Sequence, residues 1–261
     1  MQNASINSTT LHFEPAEAGR YDAKLLIFPG LFQSYACWRP FTSMLAHRGW
    51  EVYLLSRRSG TDDGAQNLEP GLADLTRAAA QALDRLGENV IFLGADVGAA
   101  MALQLCRQRR PMALALFAPC LGEHIEQRLG SQYGFRERRR LRNSEGALQP
   151  SAAILRGCRD RIHVTAEPQT WFRELCADSS PTRPEQLPPA IVFAPTDDSL
   201  VDSDHALSFA DGRFARASAQ RLAGRWWPAA QGPSVADEVH RFLILTLADR
   251  VVDFPEEVIG E

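Results

Sequence analysis

Residues 89–105, reading Asn-Val-Ile-Phe-Leu-Gly-Ala-Asp-Val-Gly-Ala-Ala-Met-Ala-Leu-Gln-Leu, leave this chain few folds to choose from. The apolar run at residues 90–93 is of the kind that makes a fully buried strand. Ala99, Ala100, Met101, Ala102, Leu103 and Leu105 are good helix formers with almost no polar face. Between the two lies Gly94-Ala95-Asp96-Val97-Gly98, a G-x-D-x-G turn. A strand that enters a helix through so short a turn puts its central residue on a sharp corner. The side chain of that residue then projects above the sheet edge, and the flanking glycines avoid clashes that a Cβ would cause.

The rest of the chain supplies the elements that such a unit needs around it. Lys24–Phe28 reads as a buried strand ending at Pro29-Gly30. Residues 37–49 read as a helix, with Trp38, Phe41, Met44, Leu45 and the aliphatic part of Arg48 recurring at three and four residues. Residues 50–55 give the next strand. Residues 68–86 carry Leu72, Leu75, Ala79, Leu83 and Leu86 on one helical face and stop at Gly87. A strand over residues 112–117 follows the elbow unit. Strands alternating with helices predict a mostly parallel sheet covered on both faces. The alternation breaks over residues 122–189, which hold a cationic run at 136–142 and the prolines 181, 184, 188 and 189; this stretch is expected to be a small helical cap insertion. It resumes with a strand at 190–194, a helix near 204–210, a strand near 216–222 and a closing helix at 234–247. The expected organisation is a frayed N-terminus over residues 1–10, a core of residues 11–121 and 190–261, and the cap between the two core segments. Within the core, residues 11–14 are expected to form an edge strand.

At 261 residues, 45% hydrophobic and 23% charged, the chain can form one α/β domain with a full core. A net charge of −4 gives no reason to expect nucleic acid or a membrane surface as partner. There is no apolar run of about 18 residues and no basic, apolar leader. Five cysteines without a C-x-x-C pair fit reduced thiols and a cytoplasmic protein. No His/Cys/Asp/Glu group has metal-ligand spacing, and no third glycine completes a nucleotide fingerprint, so no cofactor is expected. The expected partner is a small apolar substrate or ligand, with no nucleic acid and no membrane; oligomeric state is open.

The G-x-D-x-G elbow resembles the nucleophile elbow of the α/β-hydrolase superfamily, nearest to the epoxide hydrolase and haloalkane dehalogenase branch, where aspartate replaces the commoner serine. Pro29-Gly30-Leu31-Phe32-Gln33-Ser34 followed by Trp38 is similar to the superfamily segment H-G-F-P-x-S…W. The resemblance implies oxyanion donors at Leu31 or Phe32 and at Val97. Pro195-Thr-Asp-Asp-Ser-Leu-Val201 resembles the turn carrying the acid, with Asp198 at the matching position and Asp197 as a turn cap or solvated neighbour. The last piece departs from the pattern. Where the superfamily has G-H-x-P ahead of the closing helix, this chain reads Gly224-Arg225-Trp226-Trp227-Pro228.

That departure bears directly on chemistry. An aspartate nucleophile forms an alkyl ester, and turnover needs a histidine to activate the water that attacks it. Arginine stays protonated and cannot do so. Val97 also stands where dehalogenases usually carry a halide-binding tryptophan. Asp96, Arg225 and Asp198 are expected instead to form a carboxylate–guanidinium–carboxylate cluster. The leading reading is a non-hydrolytic enzyme, of lyase, isomerase or cyclase type, acting on a small apolar carbonyl or acyl metabolite. A ligand- or partner-binding pseudoenzyme is the alternative. A hydrolase using a relocated histidine, such as His163 or His205, is the third. Trp226 and Trp227 are candidates for contact with the ligand or for packing under the cap. The cationic run reads as a solvated helix face or as a grip for an anionic group.

Overall fold

A computed structural model describes residues 2–6, 9–30, 33, 35–57, 65–67, 72–119, 147–148, 161–163, 187–196, 201–224 and 228–252. Eight strands form the main sheet: β1 (Gln2–Ile6), β2 (Thr9–Glu14), β3 (Lys24–Phe28), β4 (Glu51–Arg57), β6 (Val90–Ala95), β7 (Leu114–Phe117), β10 (Ala190–Pro195) and β11 (Ala217–Leu222). Their order across the sheet is β1-β2-β4-β3-β6-β7-β10-β11. From β4 to β11 every pairing is parallel, while β1–β2 and β2–β4 are antiparallel. The helices are α1 (Tyr35–His47), α2 (Leu72–Leu86), α3 (Val97–Leu105), α4 (Ser203–Arg213) and α5 (Pro228–Val252). This is the α/β architecture expected from the alternating pattern.

Burial follows position in the sheet. All residues of β6, β7 and β10 are buried, because the central parallel strands are covered on both faces. The outer strand β11 is mostly exposed, and its Ser218, Gln220 and Arg221 meet water. In α1, Trp38, Phe41 and Leu45 are fully buried, and in α2 Ala79, Leu83 and Leu86 point inward, as their spacing requires. Each such aromatic or aliphatic side chain contributes roughly 1.5–3 kcal/mol on leaving water. The ring of Trp38 packs edge-on against Phe41 and Phe117, at 5.4 and 5.9 Å, and Phe117 stacks on Phe193 at 5.2 Å. One aromatic row therefore ties α1 to β7 and β10.

Three expectations need correction. Residues 1–10 do not fray over the described positions: β1 pairs with β2 in register from Gln2 opposite Phe13 to Ile6 opposite Thr9. Backbone groups make that ladder, so a run of Asn, Ser and Thr can join it without any hydrophobic signal. The strand at residues 11–14 is therefore covered by β1 and is not the sheet edge. Strands β8 (Ala147–Leu148) and β9 (Arg161–His163) pair with each other, and β9 pairs with β5 (Ala65–Asn67) from the segment before α2. Residues 122–146, 149–160 and 164–186, the cationic run included, lie outside the described residues. Finally, α5 begins at Pro228 rather than near residue 234. Proline suits a first helical position, where no intrahelical bond is lost.

Among the described residues no helix is long and apolar enough to cross a membrane. Cys37 and Cys106 form no disulfide. Burial pushes the Cys106 thiol up to about 12, which makes it a poor nucleophile.

Packing of α5 on the sheet brings His240 to Trp50, whose Nε1 donates to His240 Nδ1 at 3.0 Å, with Tyr21 stacked on Trp50 at 3.9 Å. Burial, then the charges of Arg48 and Arg20, lower the His240 pKa from 6.5. The folded state thus favours the neutral ring, and the unfolded chain takes up the proton first as pH falls. This contribution to stability is fully present above the unfolded value of 6.5 and declines as pH falls through the lower folded value. His240→Gln keeps an acceptor for Trp50 without the titration. Thermal melting between about pH 7.5 and pH 5 is expected to fall less steeply for this variant than for the wild type. Parallel curves would show that His240 does not carry the effect.

Candidate functional site

The elbow is held by contacts too close for any side chain. A Cβ on Gly94 would lie 2.6 Å from the Cα of Ala99, and one on Gly98 would lie 2.0 Å from the carbonyl oxygen of Phe28. Helix α3 therefore starts directly against the ends of β6 and β3. Asp96, between them, adopts φ 54 and ψ −121. That is a left-handed φ on a non-glycine residue, which costs on the order of 1–3 kcal/mol and persists only where the surroundings enforce it. The enforcement is visible: the Asp96 N–H donates to Phe117 O at 2.9 Å and the Asp96 carbonyl accepts from Ala99 N at 3.1 Å. The Asp96 carboxylate makes no capping bond to α3 and is half-buried. Val97 is 2% exposed, its side chain buried in the core. Every residue of α3 except Gln104 is buried, which directs the positive end of the helix at the elbow.

The turn after β3 abuts the same corner. A Cβ on Gly30 would lie 2.9 Å from the Asp96 Cβ, so only glycine lets the turn approach. Gln33 N–H donates to Gly30 O at 3.2 Å, and Gln33 Oε1 accepts from Gly30 N at 2.9 Å and from Trp38 Nε1 at 3.0 Å. Gln33 is 7% exposed. It fastens both ends of the turn that spans residues 31 and 32, and it was not among the residues that the sequence singled out. Its only sequence trace is a polar residue between the glycine and Trp38, which spacing alone does not distinguish from a solvated loop position.

The other loops reach the same edge of the sheet. Thr196, after β10, donates its N–H to Leu222 O at 2.9 Å, and its Oγ1 accepts from Gly224 N at 3.0 Å. Ala118, after β7, donates to Phe193 O at 2.8 Å. The segments that leave Thr196 and Gly224 thus depart from the edge on which Asp96 stands. The expected acid Asp198, the arginine at 225, Trp226, Trp227 and the donor positions Leu31 and Phe32 lie outside the described residues. Beyond the acid turn, Asp202 caps α4, accepting from Asp204 N at 2.9 Å and His205 N at 3.1 Å.

The described histidines are placed differently from one another. His240 adjoins Trp50, at the end of the sheet where β6 begins, about 20 Å from Asp96 along the strand direction. His12, on β2, is bonded to Ser56 Oγ at 2.6 Å and stacked on Tyr35, with β4 and β3 between it and β6, a lateral offset of about 14 Å. His47 is exposed at the far end of α1, bonded to Glu17. His205 is half-buried in the first turn of α4, on the elbow's edge of the sheet. His124 and the side chain of His163 lie outside the described residues.

Residues 25–259, which contain this strand–elbow–helix unit, match the alpha/beta hydrolase family model. The chain belongs to the alpha/beta hydrolase family. Solved structures on this fold that it is similar to include a thermophilic esterase from Thermogutta terrifontis, at 15% identity and TM-score 0.60 over 94% of this chain and 99% of that one. An epoxide hydrolase gives 15% identity and TM-score 0.60 over 93% and 98%. A loop variant of a haloalkane dehalogenase from Bradyrhizobium elkanii gives 14% and 0.62 over 95% and 98%. At these identities the likeness concerns the fold. No curated protein matches the chain in sequence.

In this alpha/beta hydrolase fold the contact between Gly98 and the Phe28 carbonyl holds α3 in place. Gly98→Ala is expected to lower stability by at least about 3 kcal/mol or to prevent folding, because a backbone oxygen cannot swing aside as a side chain can. Ala99→Gly, in the same turn but with no such contact to relieve, is expected to cost about 1 kcal/mol. Urea unfolding of both variants checks the contrast.

Proposed function

We propose that this member of the alpha/beta hydrolase family is an atypical, non-hydrolytic enzyme that handles a small apolar carbonyl or acyl compound at the elbow. The observation that carries the reading is the placement of Asp96 in the enforced outlier conformation, on the edge from which Gly224 leads directly to arginine rather than histidine. Asp96, Arg225 and Asp198 take the places of nucleophile, base and acid. A guanidinium between two carboxylates favours their charged forms and leaves Asp96 with little basicity. Such a cluster polarises or orients a substrate but cannot activate water, since arginine does not release its proton. The backbone N–H of Val97, with one from residue 31 or 32, is suited to an enolate or oxyanion. Trp226 and Trp227 supply apolar surface for the ligand. Lyase, isomerase and cyclisation steps need these parts and no hydrolytic base.

A hydrolase with a relocated histidine is favoured by one observation. His205 is half-buried at the amino end of α4, on the elbow's edge, and imidazole is the side chain suited to general-base work. The two readings separate in one experiment on purified protein with para-nitrophenyl butyrate, styrene oxide and a chloroacid as probes. The proposal expects wild type and Asp96→Ala alike at the buffer rate. Turnover in the wild type that disappears in both Asp96→Ala and His205→Ala would overturn it in favour of the second reading. Arg225→His, which restores the residue that the superfamily motif carries at this position, is expected to gain styrene oxide hydrolysis at least about tenfold above background, since a positioned base contributes on the order of 10²–10⁴. That gain should vanish when Asp96→Ala is added.

A further inference from the structure

The main sheet ends at β11 with an open edge. Ala190 N–H donates to Arg216 O at 3.0 Å and Thr196 N–H donates to Leu222 O at 2.9 Å, in an unbroken parallel register from Ala190 opposite Ala217 to Pro195 opposite Leu222. Alternate residues of a strand bond to one neighbour, so residues 216, 218, 220 and 222 face β10. The N–H and C=O groups of Ala217, Ala219 and Arg221 point the other way, and among the described residues β11 pairs with β10 alone. Ala217, Ser218 and Ala219 are all exposed, so both faces of this half of the strand meet water. Sheet edges are normally blunted by a proline, a bulge, an inward charge or a covering segment. β11 has no proline and no bulge, and its one charge, Arg221, is paired with Asp204 of α4.

We propose that β11 is a self-association surface, at which two copies of this chain join their sheets about a two-fold axis through Ala219. Copies of one strand related by an axis perpendicular to the sheet run antiparallel. Outward groups at every second residue then pair Ala219 with Ala219 of the second copy and Ala217 with its Arg221, each pair exchanging two N–H···O=C bonds. In this register Arg221 faces an alanine and Ser218 faces Gln220, so no like charges stand opposite one another. The small Ala217 and Ala219 side chains leave room for the second strand. Charge favours the same arrangement. The Asp204–Arg221 pair shows that α4 runs against the direction of β11. Asp202 and Asp204 outnumber Arg221 at one end of this unit, a net charge of −1, while Arg213 and Arg216 outnumber Asp211 at the other, a net charge of +1. Glu238, beside Gln220 on the opposite face, is neutralised by Arg241. The two-fold sets each end beside the opposite end of the second copy, which steers the pairing and fixes its register.

Sedimentation equilibrium of the full-length protein between about 2 and 50 µM is expected to show a dimer. Ala219→Pro removes an N–H that points away from β10, so the ladder within the chain is kept while the two central bonds across the axis are lost. It is expected to raise the dissociation constant of the dimer at least about tenfold. Ala219→Lys sets like charges opposite one another at the axis and is expected to raise that constant at least about fivefold, which keeps the test open if the proline variant fails to fold. Gln81→Lys, on the exposed face of α2, is the control and is expected to leave the dimer intact. Ala219→Cys tests the register. The Cα atoms of a hydrogen-bonded pair lie about 5.5 Å apart, within the span of a disulfide, so oxidised glutathione is expected to link the two copies well above the level seen for wild type or Gln81→Cys. A wild type that is monomeric throughout overturns the proposal. So does a dimer that tolerates both Ala219→Pro and Ala219→Lys, or an Ala219→Cys variant that links no better than the controls.

Discussion

The close approach of Gly98 to the carbonyl of Phe28 is the contact on which the site depends. It lets α3 begin flush with the ends of β3 and β6, and that leaves Asp96 no room for an ordinary backbone conformation. The strain is balanced by the hydrogen bond from Asp96 N–H to Phe117 O and by the burial of nearly all of α3. Phe117 in turn lies against Trp38, and Trp38 donates to Gln33, which fastens the turn at Gly30. Elbow, Gly30 turn and core are thus one connected body. A change at any of these positions reaches Asp96 through rigid contacts.

The proposed separation of fold and chemistry in this family member turns on the electrostatics of the same edge. The fold supplies a buried helix N-terminus, which suits a developing negative charge, and an aspartate on the corner beside it. Hydrolysis needs one more thing, a group that cycles its proton near neutral pH. Two of the described histidines, His12 and His240, are engaged with Ser56 and Trp50 away from the elbow, and burial lowers the pKa of both. They act as packed, neutral rings in the body of the protein. In the proposed reading, Arg225 carries a permanent charge where hydrolysis would need a proton carrier.

Much of the fold could be read before any coordinates, because its determinants are local. The buried strand, the G-x-D-x-G corner and the apolar helix follow from the order of residues 89–105, and Gly87 marks the end of α2 where it was expected. The antiparallel β1, the small β5-β9-β8 sheet and the start of α5 at Pro228 were not legible. Short strands of polar residues are made by the neighbouring backbone that receives them, and that neighbour lies far away in sequence for β5 and β9. The candidate site was legible in part. Asp96 and Val97 stand at the elbow as their motif required, while Gln33, which ties Gly30 to Trp38, left no signal because its bonds depend on the direction of its amide.

By itself the sequence determined which residues could serve chemistry: an aspartate on a glycine-flanked corner and an arginine in the place of a histidine. These are matters of residue type and near spacing. Tertiary structure alone decided which groups share a space. It set the Gln33 amide beside Asp96, brought the Thr196 and Gly224 turns to the same edge and carried His240 to the other end of β6. The reason is physical: backbone geometry and hydrophobic periodicity are written along the chain, whereas a donor's orientation is fixed by partners on other elements, which exist as partners only once the sheet has formed.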